Sequence, residues 1–355
     1  MDYENSPFQQ ASNSFHPNPP FTPQPYAPQP QTKKKGVGWK IFWGIVLFLS
    51  VLTNLFLLIS IAVMATFFSH TSGKPSMPKF DENVLIDGSR NRAIAVINVD
   101  NVIDSAISIR VKKQLEQAAK DSSVKAVIIR INSPGGYVSS SDQINYQIKQ
   151  FRENTEKPTV AFMQTVAASG GYYAAVACDK IIAEPTVITG SIGVIMSHLV
   201  LQQLLEQKLG IYPVVIKSGE KKDWPSMFSA TTPEQIQYLQ ERLIQPAYER
   251  FLEVVCQGRR EVLTEPEIRD LADGSIYPAP QALEKRLIDQ IGYLEEAVEL
   301  AENLAGIHGA RVIEYRERFA LWQYLSAESK APFSLNRSAI LDLTTPQLMY
   351  LWDGR

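Results

Sequence analysis

At 355 residues, with 45% apolar side chains, the chain is long enough for a folded core plus a further region and too apolar to be disordered throughout. Its 35 basic and 37 acidic side chains nearly cancel, which argues against a nucleic-acid or polyanionic partner. Two cysteines, Cys178 and Cys256, are too few for a disulfide framework and are expected as buried thiols.

Residues 1–36 are rich in Pro, Gln, Asn and Ser and poor in aliphatics, so they cannot bury enough surface to offset the entropy of ordering; a disordered tail is expected. Lys33, Lys34, Lys35 and Lys40 then precede a run from Ile41 to Phe68 without a charged residue, which predicts one membrane-spanning helix within residues 37–69. Only Ser50, Thr53, Asn54 and Ser60 are clearly polar within it. A cleaved signal peptide would carry a shorter apolar region nearer residue 1. The lysines ahead of the span predict a cytoplasmic tail, with everything beyond about residue 70 on the other side.

A linker is expected over residues 70–92 and an α/β domain over residues 93–310. Ile94 to Val99, Val124 to Ile131 and Thr159 to Met163 are continuous apolar runs separated by helical patterns at Ser108 to Lys120 and around Ile144, Ile148 and Phe151. Lys180 to Ala183 and Tyr212 to Lys217 are further expected strands, and residues 233–305 are expected to be mainly helical. Continuous rather than alternating strands imply a mostly parallel sheet covered on both faces. Residues 311–355 carry no clear pattern.

Three stretches can carry chemistry. Val166-Ala167-Ala168-Ser169-Gly170-Gly171-Tyr172-Tyr173 reads as a strand, a sharp turn and a helix start, which would present Ser169 as an acyl-transfer nucleophile; a plain small-residue turn is the alternative. Asn132-Ser133-Pro134-Gly135-Gly136 would leave backbone N–H groups facing a crevice, as an oxyanion hole needs. Lys217 to Phe228 holds Lys221 and Lys222, either of which could take a serine proton if burial or nearby cations bring its pKa down toward neutrality. The histidines fit a triad poorly: His16 is in the tail, His70 beside the span, His308 next to Gly309, and only His198 is in the core region. No spacing suggests zinc, a P-loop or a dinucleotide site, so no metal or cofactor is called for.

With Thr189-Gly190-Ser191-Ile192-Gly193-Val194 between the second and third of these in chain order, the sequence resembles the signal peptide peptidase A family, over about Ile94 to Ala297. Gly258-Arg259, Ala272-Asp273-Gly274 and Gln281-Ala282-Leu283 extend the likeness. The resemblance implies a Clp protease/crotonase-like fold and a membrane-anchored serine endopeptidase of the bacterial cell membrane that degrades remnant signal peptides. It further implies Ser169 as nucleophile, Lys222 as base with Lys221 as the alternative, Gly136 and Gly170 as oxyanion donors, and Ser191 as the residue that orients the lysine. The single set of motifs resembles the short form of the family, which forms a dome-shaped homo-oligomeric ring, an octamer, with active sites shared between protomers. Two positions depart from the family pattern: Arg286 stands where a glycine is usual, and so does Pro280. A crotonase-like acyl-CoA enzyme and a non-catalytic scaffold of the same fold are the competing readings.

Overall fold

The computed structural model describes residues 37–70, 80–317 and 346–354. The expected tail with Lys33, Lys34 and Lys35, the residues around Lys74 and Lys79, and residues 318–345 of the C-terminal extension lie outside the described residues. The chain divides into two compact units, Met1–Lys74 and Pro75–Arg355.

In the first unit, helix α1 (Val37–His70) is 34 residues long. Its segment Gly38–Val63 has a mean hydropathy of 2.6 over 26 residues, long and apolar enough to cross a bilayer. Three of the four polar side chains expected to be tolerable there bond to the helix's own backbone. Thr53, Asn54 and Ser60 each donate to the carbonyl four residues back at 2.8 Å, so none needs a partner from outside the helix.

The second unit begins with β1 (Asp81–Ile86), β2 (Ser89–Asp100), α2 (Ser105–Lys120), β3 (Val124–Ser133), β4 (Gly135–Tyr137) and α3 (Val138–Thr155). It continues with β5 (Thr159–Ala168), α4 (Gly170–Ala175), β6 (Lys180–Ala183), β7 (Ile188–Gly190) and β8 (Ile195–Ser197). After a long loop come α5 (Pro233–Leu239), α6 (Gln245–Arg259), α7 (Glu265–Leu271), β9 (Ile276–Pro278), α8 (Ala279–Glu284) and β10 (Gln290–Ile291). The chain then forms α9 (Leu294–Ala305), β11 (Ala310–Arg316) and β12 (Gln347–Leu351).

Nine strands form one sheet in the order β1-β11-β2-β3-β5-β6-β10, with β7 beside β5 and β9 beside β7. The pairs from β11 through β10, and β5 with β7, are parallel; β1 and β9 join antiparallel at the margins. Alternate residues of each central strand enter separate cores, which is why the runs are apolar without interruption. Ala95, Ile97 and Val99 meet Val111, Ile144 and Phe251 on one face, while Ile94, Val96 and Ile128 meet Ala297 and Ala301 of α9 on the other.

Three expectations need correcting. β1 and the start of β2 occupy the stretch expected as a linker, and β11 and β12 give structure to part of the region left without assignment. Tyr212 to Lys217 is not a strand: Val214 and Ile216 are 85% and 96% exposed, because no neighbouring strand of the described residues lies beside them to take their hydrogen bonds.

The sheet buries one polar knot at the ends of β2, β3 and β11. Glu314 pairs with Arg130 and accepts from Asn98 at 2.8 Å and from Arg316 at 2.8 Å. Burial pushes the Glu314 carboxyl up, yet the hydrogen bonds from Asn98 and Arg316 and the charge of Arg130 outweigh it and hold its pKa below the usual range. A lowered folded-state pKa stabilises above the unfolded carboxylate value, about 4.3 for Glu, and that contribution is lost as pH falls through the folded value. Arg130→Ala should therefore cost about 3 kcal/mol at pH 7, with the deficit shrinking below about pH 4 as Glu314 protonates. Urea unfolding of the two proteins across pH 3 to 7 measures it, and a deficit that does not vary with pH would contradict it.

Candidate active site

The parallel register lines up three turns at the carboxyl ends of the central strands. Ser133 of β3 lies opposite Ala167 of β5, and Ala168 lies opposite Gly190 of β7, so the turns that follow β3, β5 and β7 are neighbours. This is the edge at which open α/β sheets place their ligands.

The turn after β5 holds Ser169 at φ 53° and ψ −113°, a conformation that L residues other than glycine rarely adopt. Such strain costs about 1–3 kcal/mol and persists only where the surroundings impose it. Here they do so from both sides: the Ser169 N–H donates to Gly190 O at 2.8 Å and its carbonyl accepts from Tyr173 N at 2.8 Å. Ser169 is 1% exposed, and its Oγ has no hydrogen-bond partner among the described residues. A buried hydroxyl without a partner is a group left ready for something else.

The turn after β3 comes against it. Gly135 N donates to Ser133 Oγ at 3.1 Å, which shapes the Pro134-Gly135 corner, and Ile103 clamps the next residues through Ile103 N to Gly135 O at 2.8 Å and Tyr137 N to Ile103 O at 2.9 Å. A Cβ on Gly136 would lie 2.2 Å from Ile103 O, and one on Gly170 would lie 3.2 Å from Gly136 N. The two amides that the family resemblance implies as oxyanion donors are thus adjacent, with no room for a side chain on either glycine.

Ser191 enters from the third turn. It has φ 49° and is nearly buried, its N–H donates to Ser275 O at 2.7 Å, and Asp273 braces that carbonyl's residue by accepting from Ser275 N at 2.9 Å. The Ala272-Asp273-Gly274 stretch therefore serves as a prop for Ser191. Among the described residues, Ser169, Gly136, Gly170 and Ser191 converge.

The lysines do not join them. Lys217 closes its own turn through Asp223 at 2.7 Å and Glu220 O at 3.0 Å, and the Lys221 ammonium sits over the rings of Tyr238 at 4.4 Å and Trp224 at 5.2 Å. Lys222 is exposed on the 3-10 turn Glu220–Asp223 and does not reach the unpartnered Ser169 hydroxyl. His198 is bound to Thr231 Oγ1 at 2.9 Å, as a packed loop residue would be. Cys178 is buried with its thiol pushed up to about 12 by that burial, while Cys256 is only half-buried; the former is no nucleophile at neutral pH.

Ser141 escaped sequence reasoning. It is fully buried on α3, its Oγ is also unpartnered, and a Cβ on Gly170 would lie 2.4 Å from it. One serine of three in Ser139-Ser140-Ser141 carries no motif, so only the fold reveals it. The two departures from the family pattern prove local. Arg286 takes φ 56° where glycine is usual; its carbonyl accepts from Arg259 Nε at 3.0 Å and Nη2 at 2.7 Å, and its guanidinium holds Val262 O at 2.8 Å. Pro280 sits in the first turn of α8, where its missing N–H is of no consequence.

Gly136→Ala should destabilise the fold by about 1–3 kcal/mol, since the new methyl meets backbone that cannot turn aside. Gly193→Ala, where the closest atom would be 3.6 Å away, should cost nothing measurable. Denaturant midpoints of both variants test this pair, and equal midpoints would refute the close approach.

Comparison with known proteins places these features. The profile of peptidase family S49 matches residues 151–308, and that of the NfeD1b N-terminal domain matches residues 93–199. A protein described as a signal peptide peptidase SppA in Enterococcus faecium is 33% identical over 296 residues, covering 77% of this chain and 85% of that one. Protease 4 of Haemophilus influenzae is 32% identical over 253 residues, covering 68% of this chain and 40% of its own length. A solved structure of a ClpP1 variant from Listeria monocytogenes covers 59% of this chain and 95% of its own at a TM-score of 0.38 and 15% identity. Identity of 33% over 77% of this chain and 85% of that relative, together with the S49 match, means that the chain belongs to the signal peptide peptidase A family and is a serine peptidase.

Proposed function

We propose that this peptidase works by a Ser/Lys dyad, with Ser169 as nucleophile, Lys222 as general base and the Gly136 and Gly170 amides as oxyanion donors. The observation that carries the reading is the strained, buried and unpartnered Ser169 hydroxyl beside those two amides. Ser169 attacks a peptide carbonyl, neutral Lys222 takes its proton and passes it to the leaving amine, and water releases the acyl group. Ser191 orients the lysine amine. The substrates are remnant signal peptides and other extended peptides.

The base comes from a neighbouring protomer in a homo-oligomeric ring. Two observations support this: Lys222 does not reach Ser169 within one chain, and the loop ahead of it exposes Leu209, Ile211, Tyr212, Val214 and Ile216, an apolar run that a second copy would cover. Ser169→Ala and Lys222→Ala should each lower casein hydrolysis by at least 10²- to 10⁴-fold, while Lys221→Ala keeps most activity. The two inactive proteins, mixed under conditions that exchange subunits, should regain part of it. Exchange without recovery would place both groups in one chain, and undiminished hydrolysis by Ser169→Ala would remove the nucleophile.

For location, α1 anchors the chain in the cell membrane with its N-terminus cytoplasmic and the peptidase unit outside, following the lysines ahead of the span. Protease added to intact spheroplasts should digest the peptidase unit and spare the Pro-rich tail; the reverse pattern would invert the topology.

A further inference from the structure

Two buried hydroxyls flank the same glycine, and the mechanism above uses only one of them. Ser169 precedes Gly170 in the chain, while Ser141 reaches it from α3. They are 1% and 0% exposed, and neither Oγ has a hydrogen-bond partner among the described residues. A buried polar group left unpaired works against the fold, so a second one at the same place calls for a reason.

Ser141 passes over the bond that its own helix offers. A serine or threonine inside a helix commonly donates to the carbonyl four residues back, as Thr155 does at the other end of α3, to Phe151 O at 2.7 Å. Ser141 makes no such bond, and what it meets instead is the pair of turns that carry the oxyanion amides. A Cβ on Gly170 would lie 2.4 Å from Ser141 Oγ, 3.1 Å from Gly135 Cα and 3.2 Å from Gly136 N, so one point on Gly170 is bordered by both the hydroxyl and the Gly136 amide. The helix that holds Ser141 suits this place. α3 is 18 residues long, its N-cap Tyr137 directly follows Gly136 and gives no side-chain bond to the free N–H groups, and Ser141 lies in the first turn. The partial positive charge of that helix end therefore falls beside the same space. One turn further on, Asn145 donates to Tyr173 O at 2.8 Å and fixes α3 against the helix that follows Ser169.

We propose that Ser141 is a third donor of the oxyanion hole: its O–H joins the Gly136 and Gly170 amides on the negative oxygen that forms when Ser169 adds to a peptide carbonyl. This rests on the reading of Ser169 as nucleophile. Ser141 keeps its proton and forms no covalent bond; it gives in the tetrahedral state one hydrogen bond that it lacks in the resting enzyme. An interaction made only there lowers the barrier without tightening the binding of substrate. The same oxygen bears charge in acylation and in deacylation, so both steps draw on this hydroxyl and slow together without it.

The test compares Ser141→Ala and Ser141→Cys with the wild type, each as the full chain in detergent. Cysteine keeps the volume and replaces a strong donor by a weak one. In casein hydrolysis both variants should show kcat lowered about 10- to 100-fold with KM little changed. A peptide boronate, which the serine converts to a tetrahedral anion, should bind each variant more weakly by the same factor. The denaturant midpoint of Ser141→Ala should not fall, because an unpartnered hydroxyl gives the resting fold no bond to lose. Undiminished kcat in both variants would overturn the proposal. So would a loss of activity with a lowered midpoint and unchanged boronate affinity, which is the pattern of a packing residue. Should one variant fail to fold, the other carries the test. If Ser141 proves idle while hydrolysis still requires Ser169, only this proposal fails; if Ser169→Ala hydrolyses casein like the wild type, it is the nucleophile assignment that fails.

Discussion

The site depends on backbone meeting backbone. At Gly135, Gly136 and Gly170 the main chains of two turns and of Ile103 approach so closely that a methyl group would overlap them, and this contact brings the amides beside Ser169. It is possible only because β3, β5 and β7 run parallel and in register, ending at the same edge. A parallel sheet needs both faces covered, and the two cores on its faces supply that cover. The chain of cause thus runs from uninterrupted apolar strands, through register, to a turn geometry that no single segment could hold alone.

The short helix α4 is tied down more heavily than its length suggests. Tyr172 and Tyr173 leave it in different directions, the first donating to Leu287 O at 2.9 Å and the second to Asp142, which Arg250 also grips at 3.1 Å. Asn145 donates to Tyr173 O at 2.8 Å. Burial, then the hydrogen bond to Asp142, raises the Tyr173 phenol far above its ordinary range, so it stays a neutral donor and a wall of the groove rather than an acid or base. Gly258 completes the fit: a Cβ there would lie 2.2 Å from Val176 O, so α6 packs directly against the C-terminal end of α4, the helix whose first end carries the serine.

Much of this was legible in the sequence, and the reason is physical. Ile94 to Val99, Val124 to Ile131 and Lys180 to Ala183 lie in the sheet where their composition put them, because strands buried on both faces have no freedom to be polar. The three turns were legible because glycine clusters mark places where side chains do not fit. Tyr212 to Lys217 misled because its apolar residues resemble a strand, while a strand requires a neighbour that none of the described residues gives it. β12 and Ser141 were illegible for the opposite reason: five residues at the end of a weakly patterned stretch and one serine among three acquire meaning only from what lies across from them.

The packing around the glycines also divides the cleft into parts that can and cannot be altered by engineering. Its floor is main chain with no spare volume, so altering the turn glycines disturbs the scaffold itself. Its walls are side chains: Tyr173 and Phe251 enclose the ring of Tyr350, and the carbonyl of Ala247 marks the far end. A change of volume around Tyr350 therefore belongs on α4 and α6, where a substitution at Phe251 alters the recess that holds that ring and leaves the arrangement of amides intact.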